Sequence, residues 1–333
     1  MHRALQLAKR GFGNVSPNPL VGCVIVHENK IIGEGYHRKY GEGHAEVNAV
    51  DSVENKDLLK ESTVYVTLEP CSHYGKTPPC CDLLIDHDVK KVVVAAIDPH
   101  HKVAGKGLEK MKNAGIEVEV GMLKKESERL NKRFNTFHIH KRPYIILKWA
   151  QTKDHFIARE NFDSKWISNE NSRQLVHKWR CEEDAIMVGK NTAIYDDPSL
   201  TARSWTGSNP TRVLLDTNLE VGNHTNLFNE EASTLIFNSK KDEEKGQNKW
   251  VKLDDFSCKE IIDKVYQQNI QSIIIEGGAT VLNSFITENC WDEARIFKSD
   301  KIFNKGIKAP IIEGAKVSEE EVFGDQLEYY TNE

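Results

Sequence analysis

No apolar run in this sequence approaches the ~18 residues that a membrane-crossing helix needs. The longest, Leu20 to Val26 and Val92 to Ile97, have the length of buried strands. Basic residues are not in excess either. The 45 Lys and Arg against 50 Asp and Glu leave a formal charge of −5, so no global field draws the chain to nucleic acid or anionic lipid, and any bound anion must be held locally. The segment Met1 to Arg10 lacks the apolar core and small-residue cleavage site of a secretory leader and reads as the first turns of an amphipathic helix. The cysteines number seven, an odd count, so no disulfide framework is expected, and reduced thiols in a cytoplasm are. Cys23, Cys181, Cys258 and Cys290 are scattered and read as small buried side chains. The remaining three cluster. No internal repeat marks a solenoid.

What is present is the patterning of an ordinary globular chain, and 333 residues suffice for two domains with cores of their own. Up to about residue 120, strands are expected at Leu20 to Val26, Ile31 to Tyr36, Thr63 to Leu68, Lys91 to Ile97 and Ile116 to Val120, with helices near 2–11, 44–53, 78–87 and 105–114. That is a five-stranded sheet with helices on it, an α/β architecture. A charged helix, Leu123 to Asn135, leads to Lys141-Arg142-Pro143, which sets the expected boundary between domains at 1–141 and 142–333. A second α/β cycle follows, with strands at Tyr144 to Trp149, Ala185 to Val188, Arg212 to Leu215, Thr234 to Phe237, Ser272 to Ile275 and Ala294 to Phe297. Its helices fall near 169–180, 256–268 and 279–288, and Asn238 to Asn248 reads as a solvated loop.

Gly43-His44-Ala45-Glu46 opens a helix, Glu69-Pro70-Cys71 closes a strand, and Cys80 stands in the first turn of the next helix after Pro78-Pro79. One imidazole and two thiolates satisfy a catalytic zinc site, which takes three protein ligands and keeps a fourth place for water. Proline before a helix start and the helix dipole favour the thiolate forms. Glu46 follows His44 by two residues, so His44 is expected at the cap, where the backbone is not yet helical and Glu46 can face the water as general acid and base. Cys81 competes with Cys80. Neighbouring helical residues diverge by roughly 100°, so only one of the two can join the ligands.

His-x-Glu followed by Pro-Cys and a further Cys resembles the zinc-dependent nucleoside and nucleobase deaminases, and this resemblance selects Cys80. The chain departs from them in placing eight residues, Ser72 to Pro79, between the cysteines. The inserted loop carries His73, Lys76 and Thr77, donors able to grip a phosphate, so the expected substrate is a pyrimidine bearing a ribose phosphate. Asn18-Pro19-Leu20-Val21-Gly22, His44-Ala45-Glu46 and the run Leu68 to Cys80 closely resemble the bifunctional deaminase–reductase of riboflavin biosynthesis, the RibD family. The resemblance implies an N-terminal cytidine-deaminase-like α/β/α sandwich and a C-terminal dihydrofolate-reductase-like α/β domain. It implies deamination of 2,5-diamino-6-(5-phosphoribosylamino)pyrimidin-4(3H)-one, followed by NADPH reduction of the ribose to a ribityl chain. It also places Asn18, His37, His73 and Lys76 in the deaminase pocket.

In the second half, Ser272 to Ala279 is a strand running into the pair Gly277-Gly278 and a helix, a shape whose backbone N–H groups suit a pyrophosphate. It is not the Gly-x-Gly-x-x-Gly of the Rossmann fingerprint. By resemblance, Ser164, Arg180, Leu200, Arg203 and Glu276 match substrate positions, the two arginines as a clamp for phosphate, and Lys148 is a further candidate in that pocket. Ala150, Trp166, Thr192, Asp196, Gly277 and Gly278 match NADPH contacts. One position departs: His155 stands where the family usually has glycine, at a turn that favours positive φ and close cofactor approach. A second reading therefore keeps the deaminase and leaves the reductase half weak or inactive. An RNA-editing deaminase is disfavoured by the net acidity and by the lack of a basic stripe interleaved with aromatics. A non-catalytic zinc scaffold would have no use for Glu46. The expected partner is a small-molecule substrate rather than nucleic acid or membrane, with homo-oligomers left open.

Overall fold

The computed structural model describes residues 1–74, 78–100 and 104–332. Its backbone divides into two compact units, Met1–Lys141 and Arg142–Glu333.

In the first unit the strands are β1 (Gly22–His27), β2 (Lys30–Tyr36), β3 (Thr63–Leu68), β4 (Lys91–Ala96) and β5 (Glu117–Val120). They form one sheet in the order β2-β1-β3-β4-β5, the first three antiparallel and the rest parallel. Glu28 and Asn29, at φ 47 and 62, make the tight turn between β1 and β2. The period-2 alternation of β1 places Cys23 and Ile25 in one core and Val24 in another, so both sheet faces are covered. Helix α1 (His2–Ala8) supplies Ala4 and Leu7 to the second core. Helices α2 (Ala45–Asp51), α3 (Cys80–Asp86) and α4 (Lys106–Asn113) supply Ala49, Leu84 and Met111 to the first. The result is the α/β/α sandwich that the family resemblance implied, built on the five-stranded sheet that the strand pattern predicted.

Helix α2 lies almost backbone to backbone on β2. A Cβ on Gly35 would stand 2.3 Å from the Ala49 nitrogen and 2.4 Å from the Ala45 oxygen, and one on Gly33 would stand 2.6 Å from the Ala49 oxygen. These glycines set where α2 begins.

The charged helix expected at Leu123 to Asn135 is two helices, α5 (Lys124–Leu130) and α6 (Lys132–His140). The break has a local cause. Asn131 is buried, and its amide both accepts from Leu20 N at 2.8 Å and donates to Leu20 O at 2.9 Å, which fixes its backbone outside helical geometry at φ −98, ψ 24.

The second unit comprises β6 (Tyr144–Gln151), β7 (Phe156–Ala158), α7 (Glu170–Glu182), β8 (Ala185–Gly189), α8 (Lys190–Asp196), β9 (Thr211–Leu215), β10 (Thr234–Asn238), β11 (Glu243–Lys245), β12 (Asn248–Lys252), α9 (Cys258–Gln267), β13 (Ser272–Ile275), α10 (Ala279–Thr287), β14 (Glu293–Lys298), β15 (Ile307–Lys308), β16 (Ala315–Val322) and β17 (Asp325–Thr331). Ten of these strands form one sheet among the described residues, in the order β11-β12-β10-β9-β8-β13-β6-β14-β17-β16. From β12 to β14 every pair is parallel. Parallel strands buried on both faces read as continuous apolar runs, which is why Tyr144 to Leu147 and Ser272 to Ile275 were legible. On β6 the odd residues Ile145, Leu147 and Trp149 enter one core and the even residues Tyr144 and Ile146 another, so Lys148 shares the inner face of the even set.

Two readings need correction. Of the expected loop Asn238 to Asn248, residues 240–247 are largely exposed, but Asn238 is the buried last residue of β10, and the segment carries β11, which pairs antiparallel with β12 as a hairpin. The C-terminal hairpin β16–β17 and the short helix α8 gave no periodic signal. Strand β16, almost wholly exposed and rich in glutamate, is held by pairing with β17 rather than by an apolar face.

Gly35→Ala is expected to lower stability by about 3 kcal/mol through this backbone clash, whereas Ile31→Ala, 52 % exposed on the same strand, should stay within about 0.5 kcal/mol. Denaturant melts of the two variants check this.

Candidate functional site

In the first unit three element ends meet. His44 is the N-cap of α2, with extended backbone at φ −70, ψ 171, so the expected cap geometry is present. Cys71 follows β3 and Pro70, and Cys80 is the first residue of α3 after Pro79. His44 Nδ1 lies 3.6 Å from Cys71 Sγ and 3.3 Å from Cys80 Sγ, and the three ligand atoms fall within 4.8 Å of one another. Tetrahedral zinc with bonds of about 2.0 Å to nitrogen and 2.3 Å to sulfur separates N and S ligands by about 3.6 Å, so the donor set fits that ion. Among the described residues this is the only such His, Cys and carboxylate cluster.

The electrostatics favour an anionic sulfur at Cys71. The Cys80 N–H donates to Cys71 Sγ at 3.3 Å. Its own thiol, then the His44 ring, hold the Cys71 thiol below the usual range, while Cys80, sharing a proton with Cys71 and buried, is pushed well above it. Cys81 points elsewhere, into the apolar core with Leu84, which decides between the adjacent cysteines.

Glu46 is in the first turn of α2 and only 3 % exposed. Burial, with the Cys71 sulfur adding, pushes its carboxyl up to about 7. His37 is buried as well. Its Nδ1 lies 3.2 Å from the Gly43 carbonyl and its Nε2 3.1 Å from the Asn18 amide nitrogen. A carbonyl only accepts and an amide nitrogen only donates, so the ring carries its hydrogen on Nδ1. Burial keeps it neutral. Asn18 and His37 are thus brought together, and the His37 and His44 rings stand edge to face with centroids 5.3 Å apart. His73 is exposed. Lys76, with Thr77, lies outside the described residues.

Glu69 was missed. It is 4 % exposed and accepts from Gly105 N at 2.9 Å and Gly107 N at 3.0 Å, tying the start of α4 beneath Pro70, where a Cβ on Gly107 would meet the Pro70 oxygen at 2.2 Å. A carboxylate ending an apolar strand one residue before Pro-Cys was the available signal.

In the second unit a cleft of about 730 Å³ opens at the carboxyl ends of β6, β8 and β13, lined by Lys148, Gly189 and Glu276 among others. Strand β13 returns between β8 and β6, so this is a topological switch point, where ligands of open α/β sheets bind. All twelve second-half candidates line it. Lys148, Arg180 and Glu276 form a charge group, Arg180 buried and the other two half-buried: Arg180 Nη2 donates to Glu276 at 2.9 Å and Nη1 to the Thr201 carbonyl at 3.2 Å. Burial, against the pull of Glu276, lowers the Lys148 ammonium. Glu276 is held low because Arg180 and Lys148 outweigh its own burial. Arg203 and Leu200 lie on the same cleft, Arg203 exposed and Leu200 buried at φ 52. Arg180 is committed to Glu276 and Thr201 rather than open as a fork.

Ser164 donates to both carboxylate oxygens of Asp196, at 3.0 and 3.1 Å. Trp166 is 56 % exposed at the mouth with the Arg173 guanidinium over its ring, and Ala150 lies at the end of β6. Thr192 Oγ1 accepts from Gly278 N at 3.0 Å, so one of the backbone N–H groups expected to be open at the glycine pair is engaged. A Cβ on Gly277 would come within 3.1 Å of Gly189 N, so glycine lets the β8 and β13 loops touch.

His155 adopts φ 64, the conformation for which glycine is favoured. Its N–H bonds Thr152 O at 3.0 Å and its ring meets the Gln151 amide at 3.0 Å. It is not among the residues lining the cleft.

Comparison with known proteins agrees with this geometry. Residues 1–96 match the cytidine and deoxycytidylate deaminase zinc-binding region, and residues 143–319 match the RibD C-terminal domain. The riboflavin biosynthesis protein RibD of Aquifex aeolicus is 45 % identical over 92 % of this chain and 88 % of its own. That of Bacillus amyloliquefaciens is 38 % identical over 94 % and 87 %. The crystal structure of a diaminohydroxyphosphoribosylaminopyrimidine deaminase/5-amino-6-(5-phosphoribosylamino)uracil reductase from Thermotoga maritima superposes with a TM-score of 0.91 at 38 % identity, covering 99 % and 97 % of the two chains. Acinetobacter baumannii RibD gives 0.90 at 33 %, with the same coverage.

Elemental analysis of purified variants tests the ligand set: Cys80→Ala should lose zinc, whereas Cys81→Ala should keep about one ion per chain, as expected for a three-ligand site.

Proposed function

The chain belongs to the RibD family, and from that membership and the geometry of its two sites we propose that it is a bifunctional enzyme of riboflavin biosynthesis. Residues 1–141 deaminate 2,5-diamino-6-(5-phosphoribosylamino)pyrimidin-4(3H)-one, and residues 142–333 reduce 5-amino-6-(5-phosphoribosylamino)uracil to its ribitylamino product. The observation that carries the reading is the meeting of His44 Nδ1 with the Cys71 and Cys80 sulfurs next to buried Glu46.

His44, Cys71 and Cys80 would hold zinc, which as a Lewis acid would supply a water nucleophile at neutral pH. Glu46 carries one proton of the attacking water to the ring nitrogen and then the proton of the added hydroxyl to the amino group as its C–N bond breaks, so one water enters for each ammonia released. Asn18 and the neutral His37 present fixed donors and acceptors to the pyrimidine edge, and His73 and Lys76 meet the phosphate.

The second site would take NADPH, which would supply the hydride when bound. Ala150, Trp166, Thr192, Asp196, Gly277 and Gly278 bind it. Ser164, Leu200, Arg203 and Arg180 hold the sugar phosphate, with Glu276 keeping Arg180 in place. Lys148 is half-buried on the cleft, and desolvation holds its ammonium below the usual lysine range, which suits it to give a proton to the sugar oxygen as the ring opens. The positive φ of His155, away from the cleft lining, removes the reason to set the reductase aside.

The substrate is a small molecule and not a nucleic acid, since the chain is net acidic. We place the enzyme in the cytoplasm, in keeping with seven free thiols.

Ammonia release and NADPH absorbance, followed separately with the diamino substrate, test both halves. Glu46→Gln should lower ammonia release by at least about a hundredfold and leave NADPH oxidation with the deaminated uracil intact. Loss of both would sink the two-site reading. His155→Gly should change NADPH turnover by less than about twofold, because glycine keeps the same backbone conformation.

A further inference from the structure

One buried titratable side chain on the reductase cleft has no part in the reading above. His177 lies in α7 one turn before Arg180, is 6 % exposed and lines the cleft. Its Nδ1 lies 2.9 Å from the Thr201 carbonyl oxygen. That carbonyl only accepts, so Nδ1 carries the hydrogen and the neutral ring keeps its lone pair on Nε2. The same oxygen accepts from Arg180 Nη1 at 3.2 Å. Thr201 therefore holds an imidazole and a guanidinium side by side, with Arg203 two residues further along the same loop. Among the described residues Nε2 has no hydrogen-bond partner, and the buried Arg180 Nε has none either. A residue lining an open cleft thus carries an unpartnered Nε2, beside a guanidinium whose buried Nε is also unpartnered.

We propose that His177 is a third cationic member of the phosphate grip: when the substrate's phosphate monoester enters between Arg180 and Arg203, His177 takes a proton from solvent and donates Nε2–H to a phosphate oxygen. The proposal rests on the reading of this cleft as the sugar-phosphate site. In the free protein the ring is neutral, held to about 4 by burial and then by Arg180 and Arg203. The charged groups facing it are Arg180 on its own helix, Arg203 on the following loop, Glu276 beyond β13 and, next to Glu276, Lys148 on β6. A phosphate carrying about two negative charges reverses the sign of the arginines' field at the ring. The complex then binds more protons than its separate parts. Affinity rises as pH falls through the ring's pKa in the complex, by up to about tenfold per pH unit, and stops rising near pH 6, where phosphate itself protonates.

The test is calorimetric titration of the full-length protein with ribose 5-phosphate at pH 7 in two buffers of different ionisation enthalpy. Wild type should take up most of one proton per probe bound. His177→Asn keeps a donor for Thr201 but cannot titrate, and should take up none and bind roughly tenfold more weakly. If that variant does not fold, the ring nitrogens of His177 in 15N-histidine-labelled wild type decide, Nε2 moving from the pyridine-like to the protonated range on binding. Binding without proton uptake, or with uptake unchanged in His177→Asn, or with Nε2 unmoved, overturns the proposal while leaving the arginine site standing. Failure of the probe to bind, or binding indifferent to Arg203→Met, removes the phosphate reading itself, and this inference with it.

Discussion

An imidazole and two thiols can share one ion only if the ends of three separate elements are delivered to a single point, and the first unit is built around that requirement. Helix α2 can start where it does because Gly33 and Gly35 let its backbone rest on β2. Any side chain there would lift the helix and carry His44 and Glu46 with it. Cys71 is fixed from the other side, through Pro70, by α4, whose first N–H groups are drawn onto the Glu69 carboxylate. Cys80 completes the set because Pro79 ends the loop at the first position of a helix, where the backbone N–H is free to bond sulfur. The chemistry needs donors at N···S separations of 3.3 to 3.6 Å, and glycine contacts and a buried carboxylate, not the ligands, enforce them.

The second unit solves a different problem, keeping charge inside a cleft without neutralising it. Lys148 interrupts a buried strand, and its charge is supported by Glu276 against the opposing effects of burial and of the Arg180 guanidinium. Burying such a group is costly unless each member is paired. Arg180 Nε and Glu276 Oε1 nevertheless remain unpartnered. Buried polar atoms left open at the carboxyl end of a parallel sheet are what a ligand-binding surface requires, since the ligand supplies the missing partners. His177, pinned through Nδ1 to the carbonyl that also holds Arg180, belongs to the same economy of shared partners.

Legibility followed the range of the forces involved. Buried strands with apolar runs, such as Ser272 to Ile275, were read to the residue, because burial on both faces leaves a local signature. Strand β16 was not, because its exposed glutamates are held only by β17. The break at Asn131 was invisible for the same reason: the cause lies in Leu20, far away in the chain. Among site residues, His44, Cys71, Cys80 and Glu46 announced themselves by type and spacing, whereas Glu69 and His177 acquire their meaning from partners that the chain brings from elsewhere.

By itself the sequence determined the donor chemistry, the two α/β cycles and the family, since residue types, periodicity and motif spacing are properties of the chain alone. Tertiary structure decided which adjacent cysteine turns inward, which ring nitrogen of His37 and His177 carries hydrogen, and that Arg180 is engaged by Glu276. Each of these depends on distances of a few ångströms between residues remote in sequence, and burial and hydrogen-bond direction act only once those distances exist.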